Sequence, residues 1–382
     1  MKYKYLSVIC GLPLLLFLIF IACEAPNQPT YGPENPDPNP TGLSPATVDT
    51  ITPTEGYLKD IITINGSGFN SEPDFNLVAF GTKTGIIKSA TETQLQVQAP
   101  NISGETVNIK VAVKGSEFWS NEQAFTFKDA IESIDEEIAW PNGVDVDDEG
   151  NVYIGSAGDE IIYKITPDGE KSEFASVPVS GAIRFGPNKN LYVCEQGEGK
   201  IIRISPDGGT IEDVVEIDTP VYFDWDANGV MYICCNDAGF KSFDGSAITH
   251  IADIGGGAKS CRVFENNIYL TDIWDSQILK FTITDAGVDS EAEIVYEGDS
   301  PAGIEIDSEG KLYFTEAWET SLYTLSQDGE EDILYEGQLM TPMRYLTFYG
   351  KSMYIVYPGW GDVGQTIKAY IGVEQAPRYG RN

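Results

Sequence analysis

A tyrosine inside a short apolar run returns six times along this chain, at positions 153, 192, 232, 269, 313 and 354, spaced 37 to 44 residues apart. The runs read NVYIGS, NLYVCE, VMYICC, NIYLTD, KLYFTE and SMYIVY, and a second apolar alternation precedes each: GVDVD, AIRFG, YFDWD, CRVFE, GIEID and YLTFY. Short strands at this period cannot bury a core one unit at a time, but they can when stacked radially. The repeat predicts an all-β chain with a six-bladed β-propeller over residues 129–375, one four-stranded blade per repeat. Asp168-Gly169, Asp207-Gly208, Asp244-Gly245 and Asp328-Gly329 mark tight turns between strands c and d. The sixth repeat ends in VEQAPRYGRN, a poor strand, whereas IESIDEEI at 131–138 stands ahead of the first repeat. That segment is expected to supply the outer strand of the last blade and close the ring, leaving 376–382 as a tail.

The N-terminus follows a different logic. Lys2 and Lys4 precede an apolar stretch from Leu6 to Ala22, and Cys23 follows. This is the pattern of a cleaved signal peptide over 1–22. Phe20-Ile21-Ala22-Cys23 resembles a bacterial lipobox, which implies acylation of Cys23 and a body held outside the cytoplasm on a membrane. Position 24 is Glu where inner-membrane retention often uses Asp, so an outer-membrane lipoprotein is the expectation. Residues 23–45 are rich in proline and form an extended tether, about 3.1 Å per residue.

Between tether and propeller, residues 46–128 read as short alternating strands separated by Gly, Pro and Asn turns, as in an antiparallel sandwich. The stretch ITPTEGYLKDIITINGSGF, then NLVAFG and TETQLQVQAP, resembles the immunoglobulin-like IPT/TIG domain. In that family the domain is a spacer or interaction module without catalytic residues. The later repeats, for instance AIRFGPNKNLYVCEQGEGKIIRISPDG, resemble NHL and gluconolactonase-like propellers. This second resemblance implies a fold rather than an activity.

With 59 acidic against 24 basic residues and a formal charge of −35, the surface repels nucleic acid. The central residue of each innermost strand runs Asp145, Arg184, Asp224, Arg262, Glu305, Thr347, so signs alternate through five blades and pairing around the axis is expected. Of the six cysteines, Cys10 falls in the signal peptide and Cys23 is the lipid site. Cys194, Cys234, Cys235 and Cys261 are read as buried thiols, with a Cys235–Cys261 bridge as the other reading.

Tryptophan placement is the sharpest functional pattern. Trp274 and Trp318 lie five residues after their blade's tyrosine and Trp360 six after, all in b-to-c loops; Trp140 lies in the d-to-a loop before blade one. Those loops emerge on one face. Together with Tyr357 and the acidic neighbours Asp275 and Glu319, they would suit a glycan, with rings stacking on CH groups and carboxylates accepting hydroxyl hydrogen bonds.

A divalent-cation site such as Ca²⁺ is the competing pattern. Gluconolactonase-like propellers hold a cation near the axis, and Glu195, Asp272 and Glu316, three residues after their tyrosines, with Asn142, are the corresponding candidates. The Glu-containing motif that opens the first blade in that family is absent, replaced by Trp140-Pro141-Asn142-Gly143. Asp224-Trp225-Asp226-Ala227-Asn228-Gly229 matches the start of a calcium loop, but Cys235 stands where the bidentate Glu belongs, and turn geometry explains the same residues. A serine or cysteine triad has no base, because the sole histidine, His250, belongs to an outer strand.

The resulting expectation is a lipid-anchored binding protein resembling the IPT/TIG-plus-propeller lipoproteins of polysaccharide-uptake systems. Such a protein would work beside an outer-membrane transporter and companion glycan-binding lipoproteins. A metal-dependent lactonase and a protein-docking scaffold are the alternatives.

Overall fold

The computed structural model describes residues 40–343, 345–359 and 364–381. The signal peptide, Cys23, most of the tether and Trp360 lie outside that range. Among the described residues no helix is long and apolar enough to cross a membrane.

The first domain is a two-sheet sandwich. Thr47–Thr52, Ile61–Ser67, Gln94–Gln98 and Ile86–Ala90 form one sheet. Glu55–Gly56, Gln123–Phe127, Thr106–Val113, Asn76–Phe80 and Lys83–Thr84 form the other. Period-two alternation turns Ile62, Ile64, Leu95 and Val97 inward against Val78, Phe80, Val111, Phe125 and Phe127, all buried.

Six blades follow, five of four strands and the fourth of five, where the short strand Gly287–Val288 is added. Their innermost strands are Pro141–Val146, Ile183–Phe185, Pro220–Trp225, Ala258–Phe264, Pro301–Ile306 and Tyr345–Tyr349. The sixth sheet runs Ile131–Asp135, Gln365–Tyr370, Ser352–Tyr357, Tyr345–Tyr349 from rim to axis. Its outer strand therefore comes from the segment before blade one, and Ile131 pairs with Ala369. First and last repeats share a sheet, so the ring has no free radial edge.

The recurring tyrosine has a local cause. In blades one, three and five its hydroxyl donates to an aspartate six residues earlier: Tyr153 to Asp147 at 3.2 Å, Tyr232 to Asp226 at 3.1 Å, Tyr313 to Asp307 at 3.0 Å. The other oxygen of each aspartate accepts two backbone amides of the a-to-b turn, as from Asn228 and Val230 to Asp226. Asp226 of the calcium-like motif is thus committed to its turn, while Asp224 points to the axis and pairs with Arg262.

The axial charges pair across blades. Arg184 lies 3.6 Å from Asp224 and 3.5 Å from Glu305, and Arg262 lies 2.7 Å from Glu305. The sixth blade, where Thr347 breaks the alternation, receives its cation from the C-terminal tail. After Gln375 bridges to Asp307, the tail turns into the channel. There Arg378 meets Asp145 at 2.5 Å and donates to the Thr347 hydroxyl at 2.6 Å. Arg381 reaches the other oxygen of Asp145 at 2.8 Å. This tail stoppers the axis at the a-to-b end.

The four propeller cysteines are free and buried, so the Cys235–Cys261 bridge does not form. Burial pushes the Cys235 thiol up to about 11, and the Cys261 thiol lies 3.7 Å from the Tyr232 carbonyl oxygen.

Sandwich and propeller pack on each other. Tyr57 stacks on Tyr370 with centroids 4.3 Å apart, the Tyr370 hydroxyl donates to Asp60 at 3.1 Å, and Asn101 donates to the Ile333 carbonyl at 3.2 Å. Leu58 is buried in one apolar cluster with Leu334, Tyr335 and Phe348.

Candidate functional site

At the b-to-c end of the axis the channel widens into a recess of about 520 Å³, and residues from all six blades line it. Trp274 and Trp318 form one side. They are 70% and 59% exposed, far more than rings of that size when they serve as packing. Neutral hydrogen-bonding groups occupy other parts of the wall: Asn142, Ser180, Gln196, Asn236 and Ser300. Lys259 adds the sole charged group among the described lining residues and donates to the Asn236 side-chain oxygen. Tyr345 lines the recess as well, and its ring lies parallel to that of Tyr222, 6.4 Å away. The Tyr222 hydroxyl in turn accepts from Arg184 at 2.6 Å. A second recess on the opposite face, beside Asp147 and Arg381, holds about 120 Å³ and is too small for a sugar ring with its hydroxyls.

Trp274 is held at several points. Its indole N–H donates to the Gly256 carbonyl at 3.0 Å, and its backbone N–H donates to Asp272 at 3.1 Å. The Asp275 amide also donates to Asp272, at 3.2 Å, and the Ile273 amide to the Gly257 carbonyl at 3.0 Å. Asp272 therefore builds the turn that presents the ring. A β-carbon on Gly257 would stand 1.7 Å from the Asp272 carboxylate, so only glycine admits this approach. On the next blade, the Ala317 amide donates to the Ser300 carbonyl and the Thr341 hydroxyl to the Ala317 carbonyl, both at 3.0 Å, fixing the loop under Trp318.

The other candidates are placed differently. Trp140 is 53% exposed but does not line the recess. Tyr357 is buried in the core with Met343 and Tyr335, so it has no face to offer a ligand, a correction to its expected place on the rim. Asp275 and Glu319 are exposed outside the recess, and the described wall carries no carboxylate at all. Amides and hydroxyls stand where acidic partners were expected.

The proposed cation ligands do not converge. Glu195 pairs with Lys200 at 3.4 Å, Glu316 accepts from the Tyr296 hydroxyl at 2.9 Å, and Asp272 serves its own loop. Burial raises all three carboxyls above their ordinary values. Of the four, only Asn142 lines the recess, and among the described residues no cluster of three or more metal-ligating side chains exists. The donor set does not fit a bound divalent cation.

The reason is strand register. In blades two to five it is the fourth residue after the tyrosine that faces the recess, namely Gln196, Asn236, Ile273 and Ala317. The third residue, Glu195, Cys235, Asp272 or Glu316, is buried. One step along a strand reverses the side-chain direction. Reading the repeat one position further on would have found Gln196 and Asn236; Lys259 had no such periodic signal.

His250 lies on the outer strand Ile248–Ala252, 3.2 Å from Asp253 and remote from the recess.

Residues 46–127 match the IPT/TIG domain. No curated protein matches the chain by sequence. Among solved structures, an auxiliary nutrient binding protein from Bacteroides thetaiotaomicron is similar with a TM-score of 0.51 and 13% identity, over 88% of this chain and 100% of that one. A protein of unknown function from the same species is similar with a TM-score of 0.53 and 16% identity, over 87% and 99%. A gluconolactonase from Xanthomonas campestris is similar with a TM-score of 0.52 and 14% identity, over 63% and 89%. At such identities the likeness concerns fold: an immunoglobulin-like IPT/TIG domain followed by a propeller of the gluconolactonase and NHL kind.

Proposed function

We propose that this protein is a non-enzymatic binding protein that holds a glycan in the tryptophan-walled mouth of its propeller. The observation that carries this reading is the pair of indoles left exposed on one side of a recess whose remaining wall mixes amides and hydroxyls with apolar side chains such as Val221 and Ile273. Leaving a large apolar side chain in water forgoes roughly 2 kcal/mol of burial. Exposing two of them on tied-down loops, the Trp274 ring held by its own N–H, matches what stacking against pyranose CH groups needs. The described wall offers no carboxylate, thiol or imidazole to act as acid, base or nucleophile, and this supports binding over lactone hydrolysis. A neighbour similar across both domains is an auxiliary nutrient binding protein, which agrees with a binding role at a cell surface or in the periplasm.

On this reading Cys23 carries lipid, the tether and sandwich raise the propeller, and an outer-membrane transporter with companion glycan-binding lipoproteins receives the ligand. Loss of palmitate labelling in Cys23→Ser tests the anchor. For the site itself, affinity electrophoresis through gels cast with different polysaccharides is decisive. Replacing both Trp274 and Trp318 by alanine should weaken retention by at least tenfold, taking about 1 kcal/mol or more per stacked ring. The melting temperature should stay unchanged, because neither ring is buried. Undiminished retention on every glycan that the wild type binds refutes the reading.

A further inference from the structure

The mouth is a well with a closed floor. Consecutive blades touch, the sixth meets the first, and described residues from every blade stand around the recess. Asn142, Val221 and Ala302 line it, and three residues further along the same strands come Asp145, Asp224 and Glu305. Those carboxylates are buried and paired with Arg378, Arg262 and Arg184 in turn, so the axial layer seals the recess from the opposite face. Two unlike walls face each other above that floor. Trp274 and Trp318 belong to blades four and five, which in a sixfold ring stand across from blades one and two, the source of Asn142 and Gln196. The Gln196 backbone amide donates to the Ser180 hydroxyl at 2.6 Å, so the polar side is set in place before a ligand arrives.

We infer that the recess takes the end of a saccharide chain and shuts out internal segments, an inference that rests on the glycan-binding reading of the same recess. An internal segment would have to enter and leave by one opening, and a chain of rigid pyranose rings cannot reverse within so small a space. The volume of about 520 Å³ falls within the about 300–1,000 Å³ of sites that enclose a small ligand whole, which gives room for a few sugar units and no more. The end of the chain descends along the axis with its CH face on the indoles of blades four and five. Its hydroxyl edge meets the amides of blades one and two. A groove open at both ends gains contacts from every further unit of chain, whereas a well stops gaining once it is full. Discrimination against mid-chain sugar then comes from the steric block at the floor.

Titration calorimetry provides the test, with malto-, isomalto-, xylo-, manno- and laminari-oligosaccharides from disaccharide to octasaccharide as probes, each beside its linear parent polymer. For at least one series, affinity should rise as far as the trisaccharide and then stay level, within about twofold, up to the octasaccharide. On the uncut polymer the number of protein molecules bound should follow the number of chains. Limited endo-cleavage, which creates ends without removing sugar, should raise that number in proportion to the cuts. Affinity that climbs more than about tenfold from trisaccharide to octasaccharide overturns the inference and leaves the glycan site standing. So does loading of several proteins along one uncut chain, capacity unchanged by cleavage, or binding to a polymer but to none of its oligosaccharides. Failure to bind any probe, or end binding that survives replacement of both Trp274 and Trp318 by alanine, overturns the glycan site and this inference together.

Discussion

Arg378 supplies the charge that Thr347 leaves missing from the axial ring. Five blades contribute alternating charges, and the tail brings the sixth, so the buried Asp145 finds Arg378 and Arg381 and also accepts from the Thr347 hydroxyl at 2.8 Å. Removing one member of a buried pair strands the other charge, which typically costs about 3–5 kcal/mol. Arg378→Met is therefore expected to lower urea stability by an amount in that range; a change below about 1 kcal/mol would mean that the tail does not hold the ring. Burial alone would raise the Asp145 carboxyl, but Arg381, Arg378 and Arg184 hold it well below the usual carboxylate range. Its contribution to stability is therefore complete above the ordinary aspartate value near pH 4 and is lost as pH falls through the lower folded-state value. Wild type should resist acid unfolding to a lower pH than Arg378→Met does.

At the level of elements, the propeller was legible because its signal is periodic. Apolar alternation and the tyrosine return at every blade, and each tyrosine in blades one, three and five reports an aspartate-capped turn. Trp274 and Trp318 were legible as a pair for the same reason, both falling five residues after the tyrosine. What single positions could not reveal was side-chain direction at the end of strand b, where one residue separates the blade interior from the mouth. That slip turns Glu195, Asp272 and Glu316 from ligands into structural groups. The tail was illegible because VEQAPRYGRN has no strand pattern; it is held by charge, and the carboxylate it pairs with, Asp145, lies more than 200 residues away in sequence. Asp272 holds the turn that presents Trp274. In Asp272→Ala, the amides of Trp274 and Asp275 should exchange with solvent at least tenfold faster, and glycan affinity should drop with them. Unaltered exchange would show that the turn holds itself.

Seen whole, the molecule is a sandwich docked on blades five and six with the mouth at the far end of the axis from the tail. Lys59 of the sandwich lies 5.7 Å over the ring of Tyr313, beside the a-to-b turn of blade five. Burial, with Lys311 nearby, pulls its ammonium down to about 8. Between that value and the ordinary lysine value near 10.4, the unfolded chain binds the extra proton, so stability rises with pH across this window. Lys59→Met should raise stability at pH 7 by about 1 kcal/mol, the site being only partly buried, and should give no gain above pH 10.5. A gain independent of pH would trace to packing alone. The geometry also separates the two tasks of the chain: the sandwich meets the a-to-b side, so ligand capture at the opposite side leaves the domain junction untouched.

Ligand is expected to meet indole at the mouth, and ¹⁵N-indole spectra recorded during titration with a retained oligosaccharide report that contact directly. The N–H resonances of Trp274 and Trp318 should shift together with a common affinity, while those of Trp119 in the sandwich and the buried Trp225 remain still. Saturating ligand that leaves Trp274 and Trp318 unmoved, or that moves Trp119 instead, would place the site elsewhere and contradict the account.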